Sequence, residues 1–180
     1  MLNRSTRYLL AAIEAIIGWE WLLSGANKLL SGTFPQGLAD TLQDGLKNNP
    51  NGWYVHMIQA WILPNSVFYG YFIEWTELAV GLLLLGGALI LIGEPRRRGE
   101  AEHNLAVAYS VLVILAAALT AFFNVNFHFW MGGWVIPFFD PTAANNEAID
   151  IDGLLPPLNI VIIVANIALI KTLRCVHDKK

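Results

Sequence analysis

The chain reads as an all-α integral membrane protein, a four-helix bundle with both termini in the cytoplasm, and three observations predict this. Its 180 residues are 56% hydrophobic and only 14% charged, whereas soluble domains carry roughly 25% charge. Four stretches are long and apolar enough to cross about 30 Å of hydrocarbon, which takes about 20 residues at 1.5 Å each. Lysine and arginine gather at alternate ends of those stretches, the bias that orients helices in membranes.

The predicted spans are 8–30, 67–93, 104–128 and 154–172, forming one membrane domain over 1–180. The first follows Arg4 and Arg7. Although Ser24-Gly25-Ala26 imitates a cleavage site, the segment is too long for a signal peptide and contains Glu14 and Glu20. Glu14 lies near the cytoplasmic end and is expected to reach toward the interface. The third span is the cleanest, with no charge in residues 105–123. The fourth opens with Pro156-Pro157, tolerated in a first turn whose amides lack helical partners.

Arg4 and Arg7, then Arg96-Arg97-Arg98, then Lys171, Arg174, Lys179 and Lys180 all fall on one side of this arrangement, the cytoplasmic one. The opposite side holds the connection 31–66, whose one base is Lys47, and the connection 129–153, which is acidic through Asp140, Glu147, Asp150 and Asp152. In the first connection Leu38, Leu42 and Leu46 recur every four residues, and Trp53-Tyr54 and Trp61 follow around Pro50-Asn51-Gly52. This predicts two short interfacial helices with aromatics at headgroup level. The second connection is aromatic from Phe127 to Trp134 and again at Pro137-Phe138-Phe139, so the two together are expected to cap the bundle.

Ionisable side chains inside hydrocarbon cost several kcal/mol unless paired or wet, so they mark candidate sites. Glu20, Ser24, Asn27 and Lys28 stand at i, i+4, i+7 and i+8, one stripe of the first helix; Gly70, Glu74, Glu77 and Gly81, with Tyr71 at the edge, form one on the second. The two stripes are expected to face each other, and matching depth pairs Lys28 with Glu74. Asn124, Asn126 and His128 end the third helix on the same side, and Asn159 lies one turn inside the fourth. A pocket lined by Trp21, Tyr71 and Phe127 and ringed by Asn, Lys and Glu suits a flat, amphipathic quinone headgroup. The same groups can instead serve helix assembly alone, at about 1 kcal/mol per interhelical hydrogen bond. Composition and spacing leave both readings open.

Cys175 is the sole cysteine, so no intramolecular disulfide or Cys-based metal pair can form. His56, His103, His128 and His177 do not sit at matched depths on different helices, so no metal or haem site is predicted and each reads as an interfacial histidine. Dinucleotide, phosphate-loop and nucleophile-elbow motifs are absent. Nothing supports nucleic-acid binding.

Gly18-Trp19-Glu20-Trp21 followed by Ser24-Gly25-Ala26-Asn27-Lys28-Leu29, and then Glu74-Trp75-Thr76-Glu77-Leu78-Ala79-Val80-Gly81, resemble the DoxX family, and most closely its DoxD-like branch. The likeness extends through residues 124–134. It implies a small four-helix protein of the prokaryotic inner membrane, the large subunit of a thiosulfate:quinone oxidoreductase working with a second membrane-associated subunit or as a homo-oligomer. The matching positions are Glu20, Asn27, Lys28, Glu74 and Glu77.

The leading expectation is therefore a quinone-linked redox subunit, with quinone as cofactor and the bilayer as its surroundings. Glu74, Glu77 and Glu20 are the candidate proton-handling residues; Lys28, Asn27, Ser24, Tyr71, Asn124, His128 and Asn159 are the candidate binding residues. With no Cys pair, haem site or flavin fingerprint in the chain, whether it is catalytic alone stays open. The alternative is a non-catalytic accessory or assembly subunit of a larger membrane redox complex. A transporter is disfavoured, because no pair of glycine-broken half-helices is present.

Overall fold

The computed structural model describes residues 3–93, 99–133 and 151–177. Arg96, Arg97, Arg98, Lys179 and Lys180 lie outside the described residues, as do the acidic run with Asp140, Glu147 and Asp150 and the aromatics from Trp134 to Phe139.

Among the described residues six α-helices follow one another: α1 (Arg4–Ser31), α2 (Phe34–Leu46), α3 (Gly52–Met57), α4 (Ser66–Ile92), α5 (Glu100–Trp130) and α6 (Ile151–His177). No strand occurs among the described residues. Four helices are long and apolar enough to cross a membrane, and only 33% to 39% of the residues in each apolar stretch are buried. The remaining apolar surface faces outward, as it does when lipid is the solvent. The four predicted spans are therefore present, each helix but α4 running several residues past them.

Each long helix buries one seam in which steps of three and four alternate. On α1 it is Ala11, Glu14, Gly18, Trp21, Gly25; on α4 Gly70, Glu74, Glu77, Gly81, Leu84, Ala88, Leu91. On α5 it is His103, Ala106, Ser110, Val113, Ala117, Thr120, Asn124; on α6 Leu155, Asn159, Ile162, Asn166, Leu169, Leu173. A mean step of 3.5 residues keeps one seam turned toward its neighbours along a bundle. Neighbours in sequence run antiparallel, so both termini lie at one end (the terminal end) and the α2–α3 segment at the other (the connection end).

α1 and α4 pack closest because their seams carry glycine at facing positions. A Cβ on Gly25 would strike the Leu78 backbone, one on Gly81 the Leu22 backbone, and one on Gly18 would stand 2.9 Å from Leu84 Cβ. Small residues that let backbones touch are the usual means of helix association in a bilayer. At the terminal end the Arg7 guanidinium donates to the carbonyls of Leu91 (2.9 Å), Ile92 (2.7 Å) and Gly93, acceptors that the last turn of α4 otherwise leaves unpaired.

The connection end differs from the two separate interfacial helices expected there. α2 is one of them, and Pro35 on it packs against Gly70 of α4. The second, α3, is not separate: it passes through a π-helical turn (Ile58–Ile62) and a 3-10 turn (Leu63–Asn65) straight into α4. Pro64 lacks the amide that would continue an α-helical ladder, which accounts for the change of pitch. The segment is tied to the end of α5 by Asn49 Nδ2 to the Phe129 carbonyl (2.8 Å), Tyr54 Oη to the Asn126 carbonyl (2.8 Å) and Asn51 Nδ2 to the Gly133 carbonyl (2.8 Å). The two connections expected to cap the bundle thus meet at these bonds, and the rest of the second connection lies outside the described residues.

α6 begins at Ile151, before the expected start at 154, so Pro156 and Pro157 lie inside the helix and not in its first turn. Asp152 occupies that first turn instead, where a carboxylate complements the helix dipole.

Candidate functional site

The polar residues on the seams fall at two levels. Nearer the connection end, Lys28 Nζ lies 2.5 Å from Glu77 Oε2 and donates to Ser24 Oγ at 2.7 Å. Its ammonium also stands 5.2 Å from the centre of the Phe34 ring. The partner is therefore Glu77, not Glu74. Helical side chains lean toward the N-terminus, so the Lys28 ammonium descends the bundle one turn below its own Cα and meets the deeper carboxylate.

Glu74, one turn away, is 3% exposed, and its Oε2 has no hydrogen-bond partner among the described residues. The same holds for Trp21 Nε1, Asn124 Nδ2 and both amide atoms of Asn159. Trp21, Asn124 and Asn159 each have a seam or chain neighbour in one aromatic cluster. Trp21 stacks on Phe123 at 6.0 Å, and Phe123 stacks on Phe127 at 6.1 Å. Asn124 adjoins Phe123, and Leu155 and Ile162, which flank Asn159 on its seam, pack into the same cluster. Buried polar atoms are nearly always paired, so five at this end of the bundle without partners among the described residues mark a place prepared for hydrogen bonds from elsewhere.

Several predicted residues lie apart from this interior. Glu20 and Asn27 are exposed. The glycine seam fixes the rotation of α1, and Asn27 stands about 200° around the helix from Gly25. Glu20 nevertheless lies within electrostatic range of Glu77, Lys28 and Asp152. Tyr71 is 47% exposed, accepts a long hydrogen bond from Gln36 Nε2 (3.4 Å), and lines an outer apolar groove of about 510 Å³ between α4 and α5 with Phe68, Trp75 and Leu112. His128 and His103 are 3% and 8% exposed, not interfacial as predicted, while His56 is exposed.

The second level escaped sequence reading. Glu14 does not reach the interface: it is fully buried, and the Asn166 amide donates to its Oε2 at 3.1 Å. The visible signal was its place on the glycine seam, four residues before Gly18. Among the described residues no group of three His, Cys, Asp or Glu side chains has metal-binding geometry. Comparison with family models, curated proteins and solved structures finds no match for this chain.

Proposed function

We propose that this chain is a quinone-linked redox subunit of a prokaryotic inner membrane, of the thiosulfate:quinone oxidoreductase kind and working with a second subunit. The observation that carries the reading is the set of unpartnered buried polar atoms on Trp21, Glu74, Asn124 and Asn159 beside the Trp21–Phe123–Phe127 stack. A quinone is a flat ring with two carbonyl oxygens, and when bound it supplies electron acceptance coupled to proton uptake. The indole N–H and the amide N–H groups donate to such oxygens, while the aromatic rings take the face of the headgroup.

Glu74 is the proton carrier in this reading, since it is buried and its Oε2 has no hydrogen-bond partner among the described residues. Glu77 is neutralised by Lys28 and fixes the α1–α4 register beside it. Arg4, Arg7, Lys171 and Arg174 stand at the terminal end, which supports both termini being cytoplasmic and the site opening toward the outer half of the membrane.

One observation favours the assembly-subunit alternative. The Lys28 ammonium is already engaged by Glu77, Ser24 and the Phe34 ring, so this half-buried cation serves packing.

Purification in mild detergent with native partners, followed by lipid extraction, tests the choice. Co-purifying quinone, and loss of quinone-dependent turnover in Glu74→Gln with turnover retained in Tyr71→Phe, is the expected result. Absence of quinone together with a stoichiometric large partner would replace it with the assembly role.

A further inference from the structure

Glu14 belongs to no part of the proposed quinone site. It lies about 10 Å along α1 from Trp21, at seven residues and 1.5 Å each, on the terminal side of the bundle. Its burial is complete, its Oε1 has no hydrogen-bond partner among the described residues, and neither has Oδ1 of Asn166 beside it.

Every helix packed around Glu14 contributes to the setting. α4 places two adjacent glycines there: a Cβ on Gly87 would strike Glu14 Oε1, and one on Gly86 would strike the Tyr109 hydroxyl. The Gly86–Gly87 step is thus a notch that receives a carboxyl group from α1 and a phenol from α5. Tyr109 is near enough to feel the charge of Glu14 and only partly buried, with its hydroxyl donating weakly to the Leu82 carbonyl at 3.4 Å. α6 supplies the Asn166 amide, which also bonds the Ile162 carbonyl at 3.1 Å. The nearest base along α1 is Arg7, and it is committed to three carbonyls at the end of α4. His103 is buried on α5, six residues from Tyr109 toward the terminal end.

A carboxylate in such a place, with one amide donor and no cation paired with it among the described residues, bears a desolvation cost that a single proton removes. We propose that Glu14 is a proton-binding site, protonated at Oε1 in the resting protein and exchanging that proton with the protein surface by way of the Tyr109 hydroxyl. Oε1 and the tyrosine hydroxyl are not hydrogen-bonded at rest, so each exchange takes a side-chain rotation or a bridging water, after which the tyrosine oxygen takes the carboxyl proton and releases its own outward. A Cβ on Gly87 would displace the carboxyl group and one on Gly86 the phenol. The inference stands whether or not quinone binds, because it concerns a different level of the bundle.

Infrared spectroscopy of the full chain in liposomes tests it. The wild type at neutral pH is expected to show a protonated-carboxyl stretching band that Glu14→Gln removes, and Asn166→Leu is expected to shift the band upward by removing its hydrogen bond. If Glu14→Gln fails to fold, the Asn166→Leu shift alone decides the assignment. On transfer to heavy water, Tyr109→Phe is expected to slow the isotope shift of the band at least tenfold without abolishing it. A band unchanged in both Glu14→Gln and Asn166→Leu overturns the proposal, as does a band that appears only when sodium is removed, which would give the two oxygens to a metal cation. Unchanged exchange in Tyr109→Phe overturns the route.

Discussion

Lys28 on α1 and Glu77 on α4 form an ion pair at 2.5 Å, with Glu77 1% exposed and the lysine side chain 22% exposed. Breaking a buried pair leaves one charge uncompensated, whereas replacing both members with apolar residues of similar size is nearly neutral. Lys28→Met is therefore expected to destabilise the bundle by about 3 kcal/mol, and Lys28→Met with Glu77→Leu to recover most of that loss. Denaturant titration of the three proteins in one detergent measures it.

The glycine contacts of α1 and α4 make a separate prediction. Gly25→Ala places a methyl group against the Leu78 backbone, where no flexible side chain can yield. A loss of about 1–3 kcal/mol is expected from overpacking. Gly37→Ala on α2, where an added Cβ meets nothing within 4 Å, is the control and should gain a few tenths of a kcal/mol from helix propensity, at about 0.5–1 at most.

Arg7 closes the end of α4, so Arg7→Gln is expected to loosen that turn before the rest of the fold. Charge-assisted hydrogen bonds contribute about 1.5–3 kcal/mol each when fully buried, and these are partly exposed. Hydrogen exchange at Leu89 to Ile92 should accelerate at least tenfold while the α1–α4 glycine contacts keep their protection.

Asn159 separates binding from packing. It is fully buried and neither atom of its amide has a partner among the described residues, so Asn159→Leu removes a desolvation cost of about 1–3 kcal/mol. The variant is expected to be at least as stable as the wild type and to bind quinone at least tenfold more weakly. A destabilised Asn159→Leu would show that the amide works within the bundle.

The four spans were legible because length and apolarity are read directly against membrane thickness, and so was the amphipathic α2, whose leucines recur at helical spacing. The facing of α1 and α4 was legible too, from Gly70 and Gly81 around the two glutamates. The rotation of α1 was not. Its polar stripe from Glu20 to Lys28 drew attention by charge, but the backbone-contacting glycines, Gly18 and Gly25, decide which side turns inward, leaving Glu20 and Asn27 outside. The ion pair was misassigned by one turn because depth was counted at Cα positions, while the lysine side chain descends toward Ser24. Asn166, the partner of Glu14, is not legible in the sequence because an uncharged amide does not stand out in an apolar run until the antiparallel register of α1 and α6 is known.

Labelling with a photoreactive quinone tests the central claim most directly, that unpartnered polar atoms around Trp21, Asn124 and Asn159 receive a headgroup. The account predicts saturable labelling of peptides containing those residues, displaced by unlabelled quinone and lost in Asn159→Leu. Labelling confined to the outer groove at Phe68, Trp75 and Leu112, unaffected by competitor, would contradict it.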